Sequence, residues 1–284
     1  MSIVFDSNYK NKLRKEETEL GCFHIYSNLT IHSQPHKIIV YLPKNYNDKR
    51  VSGYPVIYLN DGQTAFNAGG LSPWSWEIDK TLTSLIDEER IDSVVAVAIY
   101  PENRDKEYLD VKRFIDPTTH ILFQGGGLYE YSSFMVDNLK PFINKNYNIN
   151  SDYGKTMVIG SSFGGIAAFH TACIYPQDFG ICAALSASFE IYSNKEEEIY
   201  DISFTHDIEK SLLKEQCRPK IWLDWGKLEP LAPELLPKVL DILVNNFKYI
   251  KDKDLFYFED PIGTHDERAW AYRFRLIMEN FYSR

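Results

Sequence analysis

Apolar runs of strand length and amphipathic runs of helix length follow one another along most of the chain. Residues 18–43 hold CFHIYS, NLTIHS and HKIIVYLP, where polar residues interrupt β-branched and aromatic ones, and this pattern predicts antiparallel strands. After residue 54, short and nearly continuous apolar runs alternate with helical ones. These are VIYLND, WEIDKTLTSLIDEER, SVVAVAIY, GLYEYSSFMVDNLKPFINKNY, TMVIGS, FGGIAAFHTACIY, ICAALSA, KIWLDWG, PELLPKVLDILVNNF, LFYFED and ERAWAYRFRLIMENFY.

Nearly continuous apolar strands are buried on both faces, which is typical of a parallel sheet covered by helices. We therefore predict an α/β fold with a mostly parallel central sheet, antiparallel N-terminal strands and helices on both faces. This order suits the α/β-hydrolase sheet. The 284-residue chain has no internal repeat and no long Pro/Gly/Ser linker, so we expect one domain over residues 1–284.

Three stretches depart from the alternating pattern. Residues 1–17 are predicted to be an N-terminal extension, and residues 101–127 and 187–218 connect a strand to the next element with more chain than usual. Both long loops would leave the carboxyl ends of strands, where α/β proteins bind ligands. We expect both to lie near the active site.

Composition and charge narrow the class of partner. The formal net charge is −9 and the basic residues are scattered, so the basic surface of a nucleic-acid binder is missing. The apolar start is too short for a signal peptide, and no run approaches the roughly 18 apolar residues of a membrane span. We predict a soluble cytoplasmic protein with no nucleic-acid or membrane partner, and free thiols at Cys22, Cys173, Cys182 and Cys217.

Residues 160–164, which read GSSFG, carry the strongest chemical signal. An apolar strand ends at the first glycine and a helix of small residues begins after the central serine, which is the arrangement of a nucleophile elbow. The flanking glycines avoid collisions with the neighbouring strand and helix. Ser162 is therefore the candidate nucleophile, and the N–H of Phe163, at the start of the helix, can donate to a developing oxyanion.

An ordered series of motifs surrounds this segment. VYLPKNY, YPVIYLNDGQ, WSWEIDKTL and NRDKEY precede GSSFGG, and LDWGKLE and GTHDERAWAYRF follow it. Together they resemble the "Putative esterase" family, which includes enterochelin and other trilactone-siderophore esterases, feruloyl and acetylxylan esterases, and esterase D. The resemblance implies the α/β-hydrolase fold, ester hydrolysis by a serine–histidine–acid triad, and no heme, metal or nucleotide cofactor.

The triad residues of this fold follow in the order serine, acid, histidine, so the base should come after a late strand. His170 lies on the elbow's own helix and His206 is predicted to be a loop residue, whereas His265 follows LFYFED and matches the family's terminal histidine motif. We predict His265 as the base. The resemblance points to Glu229, after KIWLDWG, as the acid, with Asp224 as the alternative.

The residues around His265 also indicate a helix start. THDE at residues 264–267 has the spacing of a capping box, with Thr264 as the N-cap and Glu267 at the third helical position. His265 would then lie at a helix N-terminus, where the dipole disfavours the imidazolium.

A second oxyanion donor should come from the loop after the strand YPVIYL. One backbone N–H of Asp61, Gly62 or Gln63 is expected to face Ser162. Many relatives carry a His-Gly-Gly type stretch here, so the choice among these three residues stays open in this sequence.

Four further residues are candidates for substrate contacts. Trp74 and Trp76 fit either an aromatic substrate pocket or anchoring in the core. Arg104 and Tyr108 match the family's Arg-x-x-Glu-Tyr pattern, which fits either a substrate contact or an ion pair that fixes the loop.

Together these features predict a carboxylic-ester hydrolase that acts on a small-molecule ester. His265 would take the proton from Ser162, the oxyanion donors would stabilise the tetrahedral intermediate, and water would release the acyl group. Acyl transfer to an alcohol, peptide cleavage on the same triad, and a binding protein that keeps the fold without activity are the alternatives. The sequence specifies neither the acyl group, nor the alcohol, nor the oligomeric state.

Overall fold

The structure is a computed structural model that describes residues 13–31, 34–69, 72–110, 125–189, 192–193, 200–201, 206–214 and 217–284. The strands are β1 (Leu13–Thr18), β2 (Gly21–Ile31), β3 (Gln34–Pro43), β4 (Val56–Leu59), β5 (Val95–Tyr100), β6 (Thr156–Ser161), β7 (Ile181–Leu185), β8 (Tyr192–Ser193), β9 (Tyr200–Asp201), β10 (Lys220–Gly226) and β11 (Leu255–Asp260). The helices are α1 (Ile78–Asp87), α2 (Arg104–Glu107), α3 (Leu128–Phe134), α4 (Lys140–Asn146), α5 (Phe163–Ile174), α6 (His206–Leu212), α7 (Ala232–Asn245) and α8 (Glu267–Tyr282).

The central sheet has the strand order β1-β2-β3-β5-β4-β6-β7-β10-β11. The pairs β1–β2, β2–β3 and β3–β5 are antiparallel, and every pair from β5 to β11 is parallel. After β4 the chain adds β5 on one side and β6 on the other, so the order reverses at β4. The crevice outside the carboxyl ends of β4 and β6 is therefore where this class of sheet binds ligands.

Helices cover both faces of this sheet because its parallel strands are apolar on both faces. Val56 and Tyr58 of β4 belong to the core under α3, α4, α5 and α7, whereas Ile57 and Leu59 belong to the core under α1 and α8. All four side chains are buried. The alternation follows from the two-residue period of a strand.

The predicted α/β fold, with its antiparallel N-terminal strands and mostly parallel sheet, is confirmed. CFHIYS and NLTI form the single strand β2, whose pairing with β3 shifts register between Tyr26 and Leu29. Of the predicted extension 1–17, residues 1–12 lie outside the described part, and residues 13–17 are not an appendage because they pair with β2 in the sheet. The single-domain assignment stays a prediction.

The two long loops are partly described. Residues 101–110 contain α2, and residues 111–124 lie outside the described ranges. Residues 187–218 contain α6 and the short antiparallel pair β8–β9. His206 begins α6, so its prediction as a loop residue is wrong. Among the described helices, none combines the length and apolar character needed to span a bilayer.

Strand β6 and helix α5 approach each other too closely for side chains. A Cβ at Gly160 would collide with the carbonyl oxygen of Gly164 and would lie 3.1 Å from Cβ of Asn60. A Cβ at Gly165 would lie 2.9 Å from Cβ of Ala187. These contacts are with backbone or short side chains that cannot turn away, so glycine is required on both sides of the strand–helix turn.

We expect Gly160→Ala to lower the free energy of unfolding by about 1–3 kcal/mol or more, because the new methyl group overpacks a backbone contact. Gly154→Ala is the matched control, since its Cβ would meet nothing nearer than Asp152 Oδ1 at 3.4 Å. Urea unfolding measures both variants. Equal stability of the two would contradict this packing argument.

Candidate active site

Ser162 occupies the sharp turn between β6 and α5. Its φ of 55° and ψ of −124° place a non-glycine residue at positive φ, a strain of about 1–3 kcal/mol. Its N–H donates to the Leu185 carbonyl at 3.0 Å, and its carbonyl accepts from Gly165 and Ile166. The turn is thus fixed to β7 on one side and to the first turn of α5 on the other.

A second serine meets the candidate nucleophile. Ser188, which follows β7, has its hydroxyl oxygen 3.2 Å from Ser162 Oγ, and its N–H donates to the Ser162 carbonyl at 3.2 Å. Ser188 was not predicted as a site residue from the sequence. Its only signal is its position three residues after the end of a neighbouring parallel strand, where side chains collect at the crevice.

His265 and Glu229 form the hydrogen bond that a base and its acid require. His265 Nδ1 lies 3.0 Å from Glu229 Oε2. The His265 side chain is 38% exposed, whereas that of Glu229 is 1% exposed, so the carboxylate is buried while the imidazole reaches solvent. Glu229 therefore holds one ring nitrogen and leaves Nε2 for other partners.

Glu229 is held as a carboxylate by several donors. Its Oε1 accepts from the Ser186 hydroxyl at 2.6 Å and from the Gly226 N–H at 2.7 Å. Burial acts to raise the pKa of Glu229, but the hydrogen bonds from His265, Ser186 and Gly226 and the charge of Arg273 outweigh it and lower the pKa below its ordinary value. The ionised form is the one that can stabilise a charged imidazole.

Arg273 of α8 lies behind this pair with no exposed side-chain surface. Its guanidinium is 2.8 Å from Asp224 Oδ1 and 3.4 Å from Glu229 Oε1, and it donates to the Ser186 hydroxyl at 3.0 Å. Two carboxylates and one hydroxyl thus surround a fully buried cation. Loss of Arg273 would leave both buried carboxylates without their cation.

Asp224, the alternative acid, is engaged elsewhere. One carboxylate oxygen pairs with Arg273 and the other accepts from Trp222 Nε1 at 2.8 Å. Burial raises the pKa of Asp224 to about 6, against the lowering effect of Arg273 and Trp222. The structure brings Glu229 to His265 and holds Asp224 within β10, away from the histidine's hydrogen bond.

The residues that support Glu229, among them Arg273 and Trp270, were not predicted from the sequence. Arg273 interrupts the apolar stripe of α8 formed by Trp270, Phe274 and Ile277, and a lone arginine on such a stripe is the signal that a buried counter-charge exists. Trp270 also donates its Nε1 to the Ser186 hydroxyl at 2.9 Å.

The loop at residues 61–63, which is predicted to supply the second oxyanion donor, is fixed by Arg104 of α2 and by Tyr108, the residue after that helix. Tyr108 is fully buried and its hydroxyl accepts from the Asp61 N–H at 2.9 Å. The prediction of Asp61 as an oxyanion donor is therefore wrong, because its N–H already donates to the buried Tyr108 hydroxyl. Gly62 and Gln63 remain as the predicted second donor.

Arg104 makes two hydrogen bonds to the Asp61 carboxylate, at 2.8 and 2.9 Å. The guanidinium also lies over the ring of Phe163, 5.4 Å from its centre. These contacts join the oxyanion loop to the first residue of α5. Of the two readings of the Arg-x-x-Glu-Tyr pattern, the structure shows loop fixation, and the buried Tyr108 is not placed to contact substrate.

The two tryptophans lie in different environments. Trp76 is 4% exposed and packs against Trp270, with ring centres 6.0 Å apart, so of its two predicted roles the structure shows anchoring in the core and excludes a substrate contact. Trp74 is 44% exposed, and the guanidinium of Arg268 lies 4.4 Å from its ring centre. Trp74 as a substrate contact stays a prediction.

The predicted capping box is also corrected. Helix α8 begins at Glu267, and its N-cap is Asp266, whose carboxylate accepts from the N–H groups of Arg268 and Ala269. Thr264 instead donates its hydroxyl to Asp266 at 2.8 Å. His265 therefore lies just before the cap, because an aspartate two residues downstream of Thr264 is an equally good capping residue.

His170 of α5 is packed in the interior. It is 1% exposed, makes a T-shaped contact with the ring of Tyr129 and lies 3.2 Å from the Ser132 hydroxyl. Burial lowers its pKa to about 4, although Asp207 acts to raise it. In the described part of the chain, no group of three His, Cys, Asp or Glu side chains could hold a metal ion. The absence of a cofactor stays a prediction.

Comparisons with known proteins identify relatives across most of this fold. The family described as "Putative esterase" matches residues 30–280. A curated relative, the uncharacterized protein YbbA of Bacillus subtilis, is 29% identical over 170 residues, which cover 58% of this chain and 61% of that protein. The chain thus matches less than two thirds of that relative's length.

Two solved structures share the fold at low identity. The siderophore hydrolase EstA from Aspergillus nidulans is 16% identical, with a TM-score of 0.66 over 91% of this chain and 94% of that one. The enterobactin esterase FES from Shigella flexneri is 16% identical, with a TM-score of 0.64 over 96% of this chain and 61% of that one. At this identity the likeness establishes the fold alone.

We expect Arg104→Ala to lower the free energy of unfolding by about 1–3 kcal/mol, because it leaves the Asp61 carboxylate buried without its cation. The loss should be smaller than for a fully buried pair, since the Arg104 side chain is 34% exposed. Arg90→Ala, which removes a half-exposed arginine from Glu279 while Arg275 stays paired with that carboxylate, should cost less than about 1 kcal/mol. Equal losses in the two variants, measured by urea unfolding, would show that the Asp61 pair does not hold the loop.

Glu229→Gln and Asp224→Asn should alter the pH dependence of stability in opposite directions. The lowered pKa of Glu229 means that its ionised form stabilises the fold above the ordinary value of 4.5, and this contribution is lost as the pH falls through the folded pKa. The raised pKa of Asp224 means that its contribution is present below 3.8 and is lost as the pH rises through about 6.

Urea unfolding across the acid and neutral range measures both effects. The stability difference between wild type and Glu229→Gln should shrink below pH 4.5, whereas that between wild type and Asp224→Asn should shrink as the pH rises from 3.8 to about 6. Parallel pH trends for the two variants would mean that Arg273 does not hold these carboxylates in different states.

Proposed function

Because the chain belongs to the "Putative esterase" family, we propose that it hydrolyses carboxylic esters through an acyl-enzyme formed on Ser162, with His265 as base and Glu229 as acid. The family membership supports ester hydrolysis. Its substrate is a small-molecule ester.

The observation that carries this proposal is the 3.0 Å hydrogen bond between His265 Nδ1 and Glu229 Oε2. A carboxylate on Nδ1 fixes the tautomer in which Nε2 is free to accept a proton. The same carboxylate is buried, ionised and held by two further donors, so it can stabilise an imidazolium without moving.

The reaction begins with proton transfer. His265 Nε2 takes the hydroxyl proton of Ser162 as Ser162 Oγ attacks the ester carbonyl carbon, and the carbonyl oxygen becomes negatively charged. In the structure the Ser162 hydroxyl is paired with Ser188, so it exchanges this partner for His265 Nε2 before attack. Glu229 stabilises the imidazolium that results.

The oxyanion then meets backbone donors. The Phe163 N–H at the first turn of α5 has no intrahelical partner, and Gly62 or Gln63 supplies the second N–H. The tetrahedral intermediate collapses as the ester C–O bond breaks and the imidazolium returns its proton to the leaving alkoxide. Water, deprotonated by His265, then attacks the acyl-enzyme and releases the acid.

Ser162→Ala and His265→Ala should each lower kcat/KM for p-nitrophenyl acetate by about 10⁴-fold or more, because each removes a group that acts in the transition state. Glu229→Gln should lower it by about 10²- to 10⁴-fold through loss of the imidazolium's counter-charge. Ser161→Ala is the matched control, since Ser161 is a buried serine that precedes the nucleophile in the chain but belongs to β6. Activity of Ser162→Ala equal to that of Ser161→Ala would reject the assignment.

A further inference from the structure

A cavity of about 480 Å³ opens beside the candidate triad, between the end of β7 and the start of α7. Its walls include Ala187, Phe189, Leu231, Ala232 and Leu235. This volume lies within the roughly 300–1,000 Å³ of sites that hold small organic ligands. None of the steps proposed above uses the cavity.

The position of the cavity relates it to one half of the substrate. His265 and Ser188 both line it, and Ser188 Oγ is 3.2 Å from Ser162 Oγ, so the cavity lies next to the candidate nucleophile, on the side that carries the base. The base must lie within hydrogen-bond reach of the leaving oxygen, to which it returns the proton. A group bound on the side of the base is therefore the alcohol of the ester.

The lining chemistry limits what that alcohol can be. Among the described lining residues the ionisable groups are Glu229 and His265, and these two are bonded to each other. An anionic substituent would enter a pocket with no described basic side chain apart from that histidine, beside a buried carboxylate. An anionic group there would lose its hydration without gaining a partner. A cationic group would meet a carboxylate that is already paired with His265 and Arg273.

We propose that this cavity is the alcohol subsite of the esterase and that it selects an uncharged, apolar alcohol group. The inference rests on the proposed function. It is supported by Leu231, a lining residue that is 56% exposed, and by Leu228, which is 64% exposed and immediately precedes the lining residue Glu229. Such apolar exposure is typical of a binding site.

Two series of esters test the subsite. In the first, the acyl group is always acetyl and the alcohol lengthens from methanol to octanol; in the second, the alcohol is always methanol and the acyl chain lengthens. For wild type, kcat/KM in the alcohol series should rise by about fourfold per methylene until the cavity is full. An alcohol of equal length that ends in a carboxylate should lose that gain.

Variants of the cavity wall should move the optimum in opposite directions. Ala232→Leu fills the cavity and should shift the preferred alcohol to one about three carbons shorter, whereas Leu235→Ala enlarges it and should favour one about three carbons longer. Neither should change the profile of the acyl series. Leu240→Ala is the matched control, since Leu240 is a buried leucine on the same helix that does not line the cavity.

A fluorophosphonate probe separates failure of this inference from failure of the proposed function. Unlabelled Ser162 in folded wild type would reject the proposed function. Labelled Ser162 with alcohol profiles unchanged by both wall variants, or with shifts confined to the acyl series, would overturn the subsite. Labelled Ser162 with opposite shifts in the alcohol series alone, absent from Leu240→Ala, supports it.

Discussion

The buried guanidinium of Arg273 is the constraint on which this end of the molecule depends. It has no exposed side-chain surface, so its charge must be compensated by the protein, and Asp224, Glu229 and the Ser186 hydroxyl do so. Asp224 lies on β10, Ser186 follows β7, and Arg273 lies on α8. One cation thereby joins two neighbouring strand ends to the helix that follows His265, and it orients the carboxylate that holds that histidine.

A second constraint is the close approach of β6 and α5. The same glycine contacts that bring the helix start against the sheet force Ser162 into positive φ and leave its helix N–H groups beside it. The backbone strain is thus confined to Ser162, at the tight turn between β6 and α5. The ion pair between Arg104 and Asp61 then holds the loop at residues 61–63 beside Phe163, so the proposed oxyanion donors would be positioned before a substrate arrives.

Much of this arrangement could be predicted from the sequence. Strand length, apolar continuity and the strand–turn–helix pattern around GSSFG indicate the fold and Ser162, because they reflect local geometry that neighbouring residues determine. Contacts between distant segments could not be predicted in this way. Ser188 contacts Ser162 only because β7 pairs with β6. The choice between pocket and core for Trp76 is decided by Trp270, which packs against it. The N-cap of α8 is Asp266 and not Thr264 because two residues able to cap a helix lie within three positions.

Covalent acylation of Ser162 can be measured by rapid-quench mass spectrometry. Wild-type protein is mixed with excess p-nitrophenyl ester, quenched in acid within a turnover, digested and searched for peptides heavier by the acyl group. We expect one acylated site, Ser162, with Ser161, Ser186 and Ser188 unmodified. Ester hydrolysis accompanied by acylation of another serine and not of Ser162 would contradict it.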